Sequence, residues 1–155
     1  MKKMTIAMAL CLISITLFYL KSDRARFSGF HCSGLMVHRA NSPQGGFTYT
    51  VDAKMYFTGG REGFYALNGT FAHNGQTYNL HRTRFFTFRQ KNRQGLYEIT
   101  ITREIVSPLD NLPATVASPI LLPVGESILP SFRRIDDGAI LVSIFYSPFF
   151  ICAKD

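Results

Sequence analysis

The sequence contains no tryptophan, only three cysteines and only four histidines among its 155 residues. None of the histidines shows the His-x₃₋₅-His spacing of a zinc site, and His31 and His38 would face opposite sides of a strand. A Gly-x-Ser-x-Gly nucleophile motif, a phosphate-binding loop and a dinucleotide fingerprint are also missing. We therefore predict no metal site, no cofactor and no catalytic residues, and we do not expect an enzyme.

Two acidic segments remain as candidates for acid–base chemistry, Asp110-Asn111 and Asp136-Asp137. Each lies beside Pro or Gly, or close to one, where Asp and Asn side chains ordinarily cap turns. The cysteines likewise lack the Cys-x-x-Cys motif of a redox couple. Turn formation is therefore the preferred interpretation of both acidic segments.

Acidic residues are scarce, with 10 Asp and Glu against 17 Lys and Arg, so the formal net charge is +7. A balance of this size is compatible with nucleic acid, acidic headgroups or an unremarkable basic surface. Five cations lie close together and alternate with phenylalanines, and we call residues 82–93 the basic segment: Arg82, Arg84, Arg89, Lys91 and Arg93. We predict that these five side chains contact a partner or lipid headgroups.

Two alternatives remain for the basic segment. Basic residues alternating with aromatic rings can bind single-stranded nucleic acid, with the rings stacked on the bases. A domain outside the cytoplasm meets little nucleic acid, so direct nucleic-acid binding is not expected. The plainer alternative is a solvated strand face whose aromatic side chains lie in the core.

Long hydrophobic runs are limited to one, residues 4–20, which carries no charge and is flanked by Lys2, Lys3 and Lys21. At 1.5 Å per residue this run spans about 26 Å as a helix, slightly less than the hydrocarbon core of a bilayer. We predict an uncleaved transmembrane anchor that follows a cytoplasmic tail of residues 1–3.

A cleaved signal peptide is the main alternative to the anchor. The hydrophobic run ends in Lys-Ser-Asp-Arg-Ala-Arg and offers no small-x-small cleavage site at the right distance. A lipoprotein modified at Cys11 fits less well, because Leu10 occupies a position that requires a small residue.

The positions of the cysteines bear on the compartment. With Cys11 inside the anchor, Cys32 and Cys152 remain, one near each end of the rest of the chain. This placement suggests a disulfide between the first and last strands, which requires an oxidising compartment; two unrelated buried thiols are the alternative. We therefore predict a single-pass protein of the bacterial inner membrane, with a linker of residues 21–26 and a periplasmic domain of residues 27–155.

Period-two hydrophobicity is the clearest structural signal in that domain. In residues 47–57, apolar side chains alternate with Thr, Asp, Lys and Tyr, which predicts a strand with one buried face. Asn74-Gly75 predicts a two-residue hairpin turn, because both residues accept positive φ. We predict a mainly β fold, namely an N-terminal transmembrane helix followed by one antiparallel β-barrel-like or curved-sheet domain of about seven strands.

Two segments of the domain are expected to be irregular. The apolar residues of segment 77–89 are interrupted by Arg82 and Arg84, which predicts a β-bulge near these arginines or a strand face that leaves the core. Residues 107–130 contain five prolines and should form an irregular crossover, with a short helical turn at residues 114–117.

Short sequence features spread over nearly the whole chain identify a family. They are the hydrophobic anchor, Cys32, Gly63-Phe64-Tyr65-Ala66-Leu67-Asn68-Gly69, Tyr78 with Arg82, Asp110-Asn111-Leu112-Pro113, Leu129-Pro130 and Pro148-Phe149-Phe150-Ile151-Cys152. Together they resemble the FidL-like proteins, small inner-membrane proteins of enteric bacteria. This family is similar in layout to the ToxS-type accessory proteins, which are encoded beside membrane-bound transcriptional regulators.

The resemblance implies a partner and supplies no catalytic residues. The regulators in question place a winged helix-turn-helix in the cytoplasm and a sensory domain in the periplasm. By analogy, we expect a non-catalytic accessory protein that associates with such a regulator through its periplasmic β domain. The alternative is a periplasmic barrel whose aromatic interior binds a lipid or another amphiphilic small molecule.

Overall fold

The computed structural model describes residues 29–40, 46–118, 120–136, 138–145 and 147–154, together with residues 8, 11, 13 and 14. The predicted tail (residues 1–3) and linker (residues 21–26) lie outside the described residues, as does most of the predicted anchor (residues 4–20). Across the described part of the chain, no helix combines the length and the apolar character that a membrane crossing requires.

The described residues are mainly β, as predicted, and they form nine strands. These are β1 (His31–Ala40), β2 (Phe47–Thr58), β3 (Glu62–His73), β4 (Gln76–Gln90), β5 (Tyr97–Val106), β6 (Ser127–Ile128), β7 (Ser131–Arg134), β8 (Ala139–Ile144) and β9 (Ser147–Lys154). A 3₁₀ turn (Gly59–Arg61) connects β2 to β3, and one short helix, α1 (Ala114–Ala117), precedes β6. The strand number exceeds the predicted seven partly because β6, with two residues, is too short to produce a periodic pattern.

All nine strands belong to one antiparallel sheet, in the order β6-β5-β4-β3-β2-β1-β9-β8-β7. Strands β1 to β5 follow chain order as a meander, whereas β9 returns to pair with β1. The sheet curls into a half-barrel, as shown by a bridge between Leu96, immediately before β5, and Ser131 in β7. The Phe132 N–H also donates to the Gly95 carbonyl over 2.8 Å. The predicted curved sheet is therefore confirmed.

Strand β2 and the β3–β4 hairpin follow the predicted patterns. Five alternate side chains of β2 are buried on the concave face of the sheet: Tyr49, Val51, Ala53, Met55 and Phe57. Asn74 and Gly75 adopt φ values of 50° and 77° and join β3 to β4, whose last pair is His73 with Gln76. Both features arise because neighbouring side chains along a strand alternate between faces, and because Asn and Gly tolerate positive φ.

Strand β4 keeps its alternation without a break, contrary to the expectation of an interrupted face. Leu80, Arg82, Arg84 and Phe86 are all buried, so the two arginines lie on the concave face among apolar side chains. The four residues are separated by two positions each, which places them on one side of a regular strand.

The predicted β-bulge lies beside these arginines, but in the neighbouring strand. The β4–β5 ladder skips Thr102, and its register shifts there. An extra residue reverses the alternation of a strand beyond it. Glu104 therefore pairs with Arg84 on the concave face, although Ile101 also lies on that face.

Residues 107–130, here called the crossover segment, cover the concave face. The segment includes α1 and β6, and two of its own residues, Leu112 and Ala117, are buried. Its backbone is attached to β4 where the Asn111 N–H donates to the Asn79 carbonyl over 3.1 Å. The irregular crossover and the helical turn at residues 114–117 match the prediction.

Cys32 of β1 and Cys152 of β9 form a disulfide, with a sulfur–sulfur distance of 2.03 Å and a separation of 120 residues. The bond joins the first strand to the last, as the cysteine positions suggest. Strand β9 passes close to β1 at Gly34, where a Cβ atom would collide with the Ile151 carbonyl oxygen. Glycine is needed there because the two backbones leave no room for a side chain.

Candidate functional site

The concave face of the half-barrel forms a half-open apolar cavity of about 190 Å³. Its walls come from the central strands, from the C-terminal strands and from the crossover segment. Representative lining residues are Met36, Met55, Leu67, Ile101, Leu121 and Phe132. Because every second residue of a strand faces the same side, the apolar alternation of β2 to β5 produces this lining directly.

The volume of the cavity limits what it can hold. A dry apolar cavity of about 150 Å³ accommodates a benzene molecule, whereas sites for drug-sized ligands measure roughly 300–1,000 Å³. At about 190 Å³, this cavity matches one ring or a short alkyl chain. A whole two-chain phospholipid would not fit.

Arg84 is the one charged side chain among the described residues that line the cavity. Its side chain is 2% exposed, and its Nε atom lies 2.9 Å from Oε1 of Glu104. These two atoms are close but poorly aligned, so neither makes a proper hydrogen bond there. The remaining contacts are an Nη1 hydrogen bond of 3.3 Å to the Tyr65 hydroxyl and an Nη2 hydrogen bond to the Leu122 carbonyl. Arg84 therefore connects β3, β5 and the crossover segment at one wall of the cavity.

Arg82 fastens the start of the crossover segment to β4. Its Nε donates to Oδ2 of Asp110 over 2.9 Å, and its Nη2 donates to Oδ1 over 3.0 Å. The same Nη2 donates to the Leu112 carbonyl over 2.9 Å. Two parallel bonds of this kind fix the relative orientation of the guanidinium and carboxylate planes. Asp110 also forms the predicted turn interaction, because its Oδ1 accepts the Leu112 N–H over 3.1 Å. Its carboxylate is therefore both a turn cap and an ion-pair partner.

Burial and hydrogen bonding act in opposite directions on the Asp110 carboxyl. Burial by itself would raise the pKa of Asp110, but hydrogen bonds from the Arg82 side chain and from the His81 and Leu112 N–H groups hold this pKa below its ordinary value. Hydrogen bonding to Asp110 raises the pKa of Arg82 in turn. Both groups are therefore charged at neutral pH.

Glu104 joins the two arginines into one network. Its Oε2 atom lies 3.6 Å from Nη1 of Arg82, and its Oε1 atom contacts Arg84. We call Arg82, Arg84, Glu104 and Asp110 the charge cluster. It contains two guanidinium groups and two carboxylates, and its formal charge is therefore zero.

The Tyr65 hydroxyl adds a neutral polar group to the same wall. Burial raises the pKa of Tyr65, and the adjacent Arg84 guanidinium offsets only part of that rise. The hydroxyl therefore keeps its proton at neutral pH, accepts from Arg84 and remains able to donate.

The rest of the basic segment lies elsewhere. Arg89 and Lys91 are exposed near the end of β4, with Nη2 and Nζ atoms 2.7 Å and 3.3 Å from the Glu98 carboxylate. Hydrogen bonds from these two side chains lower the pKa of Glu98. Arg93 is exposed in the β4–β5 turn. The five cations do not form one surface, and contact with a partner or headgroups stays a prediction for the three exposed ones.

Sequence reasoning did not identify Tyr65 and Glu104 as members of the site. The spacing of Arg82 and Arg84 from Leu80 was a usable signal, because it places both arginines on a buried face where they need acidic partners. The identity of those partners depends on the bulge at Thr102 and on the path of the crossover segment, which have no comparable local signature.

The second acidic segment of the sequence has a structural role. Asp136 Oδ1 accepts the Gly138 N–H over 2.8 Å, which is the predicted turn interaction. Among the described residues, no group of three or more His, Cys, Asp or Glu side chains is arranged to hold a metal ion.

Comparison with known proteins gives one family. The model for the family described as "FidL-like putative membrane protein" matches residues 69–152. This range begins within β3 and includes the charge cluster, the crossover segment and Cys152. A search of the curated proteins finds no match. Since the matched range covers more than half of the 155 residues, the chain belongs to the FidL-like family.

Proposed function

We propose that the β domain binds the apolar part of a small amphiphilic molecule inside the half-barrel. The observation that carries this proposal is the apolar cavity of about 190 Å³ with a single polar wall. A lining of apolar side chains with a few convergent polar groups is typical of small-molecule sites. The polar wall consists of Arg84 and the Tyr65 hydroxyl, and it would orient the ligand.

A series of alkanols of increasing length tests this proposal on the full-length protein in lipid nanodiscs. Burial of one methylene is worth about 0.8 kcal/mol, so affinity should rise about fourfold per carbon until the cavity is full, and then level off. Methyl-¹³C-methionine NMR gives a local readout, because Met36 and Met55 line the cavity whereas Met8 lies in the predicted anchor.

Two variants of similar chemistry localise the effect. Ala53→Leu places three extra carbons in the cavity wall, and it should abolish the response of Met36 and Met55. Ala66→Leu makes the same change on the convex face of β3 and should leave the titration intact. A titration without chain-length dependence, or one that Ala53→Leu does not affect, would contradict the proposal.

A second function, association with a membrane-bound winged-helix regulator, is proposed on a different observation. The observation is an exposed apolar patch on β1, in the part that follows its ladder pairs with β9 at Cys32 and Ser33. Leu35 and Val37, on this part of β1, are 63% and 65% exposed. Exposed apolar side chains of this kind suit contact with an apolar surface of another protein.

Site-specific photo-crosslinking in cells tests the association. A photoreactive residue at position 37 should capture a single-pass protein with a cytoplasmic DNA-binding domain, whereas the same residue at position 70, exposed on β3, should not. With the photoreactive residue kept at position 37, Leu35→Asp should abolish capture and Thr70→Asp should not. Equal capture from both positions would count against this function.

We also propose that residues 4–20 anchor the protein in the inner membrane and that the domain lies in the periplasm. The family description and the Cys32–Cys152 bond support this topology, because disulfides persist in oxidising compartments. In intact spheroplasts, a membrane-impermeant maleimide should label a Thr70→Cys variant. Labelling only after lysis would place the domain on the other side, and the mass of the mature chain would report cleavage of the anchor.

A further inference from the structure

The charge balance next to the cavity restricts the ligand. Arg84 is the only charged group that lines the cavity in the described part of the chain, and its charge is compensated by Glu104. Arg82 is likewise compensated by Asp110. The cluster therefore has no excess positive charge to attract an anionic headgroup.

An anionic ligand would also lose its hydration on entry. Removing a carboxylate from water costs several kcal/mol, and this cost is recovered only by a dedicated partner. Glu104 already holds that position beside Arg84, so a ligand carboxylate would create a second negative charge in the same low-dielectric region. The arrangement disfavours such a ligand strongly.

An uncharged oxygen does not meet this penalty. The Tyr65 hydroxyl accepts a hydrogen bond from Arg84 and still has its own proton to donate. A ligand hydroxyl or carbonyl oxygen could accept a hydrogen bond from this hydroxyl without changing the charge of the region. The apolar remainder of the ligand would lie against the side chains of β2 to β5.

We propose that the cavity selects uncharged short-chain amphiphiles, such as aliphatic alcohols or amides, over carboxylates of the same length. The inference rests on the proposed binding function and specifies the chemical class of its ligand. The ligand oxygen lies at the wall formed by Tyr65 and Arg84, and its alkyl part fills the cavity.

Matched titrations of the full-length protein in nanodiscs test the selectivity. At pH 7 and equal free concentration, 1-hexanol should shift the Met36 and Met55 methyl signals, and hexanoate should bind at least tenfold more weakly. Hexanoate binding as tight as hexanol binding overturns the charge inference and leaves the binding function intact. No response to any alkanol or alkanoate overturns the binding function itself.

Removal of one carboxylate should abolish the preference for the uncharged ligand. Glu104→Gln leaves the Arg84 charge uncompensated, so hexanoate affinity should rise at least tenfold, while hexanol affinity changes less than about threefold. Glu98→Gln removes the same charge at the exposed site near Arg89 and should change neither affinity. Equal effects of the two variants would contradict the inference.

Tyr65→Phe provides a test that keeps all four charges of the charge cluster, although it removes the hydrogen bond from Arg84 Nη1. Loss of one neutral hydrogen bond should weaken hexanol binding roughly two- to tenfold. Binding of benzene, which makes no such bond, should be unchanged. A parallel loss for both ligands would mean that the hydroxyl supports the cavity rather than the ligand oxygen.

Discussion

Strand β4 carries the same type of ion pair in two opposite environments. In its middle, the side chains of Arg82 and Arg84 are 8% and 2% exposed and meet carboxylates on the concave face. Near its end, Arg89 reaches Glu98 with 61% of its own side chain exposed. The difference shows that neighbouring cations in a sequence need not share a surface, because strand alternation and the extent of the core separate them.

Burial determines how much stability is lost when one partner of each ion pair is removed. Water screens an exposed pair and solvates either partner when the other is removed. A buried charge that loses its partner stays desolvated and uncompensated. The comparison therefore predicts unequal responses to equivalent substitutions.

Arg82→Ala should have the largest effect. It leaves the Asp110 carboxylate buried without its partner and removes the bond to the Leu112 carbonyl, so the free energy of unfolding should fall by about 3–5 kcal/mol. Urea unfolding followed by tyrosine fluorescence measures the loss, with Arg89→Ala as the control. Similar losses in the two variants would show that burial does not separate the pairs.

Asp110→Asn should have an intermediate effect, about 1–3 kcal/mol at neutral pH, because the shape is kept while the charged hydrogen bonds are lost. The pKa of Asp110 is lower in the folded protein than its ordinary value, about 3.9 in an unfolded chain. Its stabilisation is therefore complete above the unfolded pKa and is lost as the pH falls through the folded pKa.

Unfolding measured across a pH series checks the direction of this pH dependence. The stability difference between the native protein and Asp110→Asn should be constant near neutral pH and should shrink below about pH 4. A difference that persists unchanged in acid would mean that shape, rather than charge, stabilises this part of the crossover segment.

Arg89→Ala should have the smallest effect, roughly a fifth or less of the Arg82→Ala loss. This small loss of stability should disappear in high salt, because screening acts on exposed charges and much less on buried ones. Urea midpoints at low salt and in about 1 M salt provide the measurement. A salt-insensitive loss would place Arg89 in a structural role that its exposure does not suggest.

The fold was largely predictable where local rules apply. The alternation of β2 and the Asn74-Gly75 turn each depend on neighbours in sequence, and both match the prediction. The two-residue β6 pairs through Ile128 with Ile99 in β5, a partner chosen by tertiary contact alone. A segment of that length carries no periodic pattern, so sequence analysis could not detect it.

The site was less predictable because its members are distant in sequence. Arginine is rarely buried without an acidic partner, so the arginines of β4 looked like an interruption of the buried face. Their partners lie twenty or more residues away, and one of them, Glu104, depends on the register shift in β5. The cavity depends further on the curvature of the sheet and on how far the crossover segment lies above it, which no residue pattern encodes.

Thr102 has a consequence for how the length of this chain can vary during evolution. A one-residue insertion or deletion in a strand normally moves every later side chain to the opposite face. The bulge holds one residue outside the ladder, so deletion of Thr102 would leave Ile101 and Glu104 two positions apart and both on the concave face. Strand β5 can therefore lose a residue at this position and keep the charge cluster. A deletion closer to Tyr97 would instead move the side chains of part of the strand to the opposite face of the sheet.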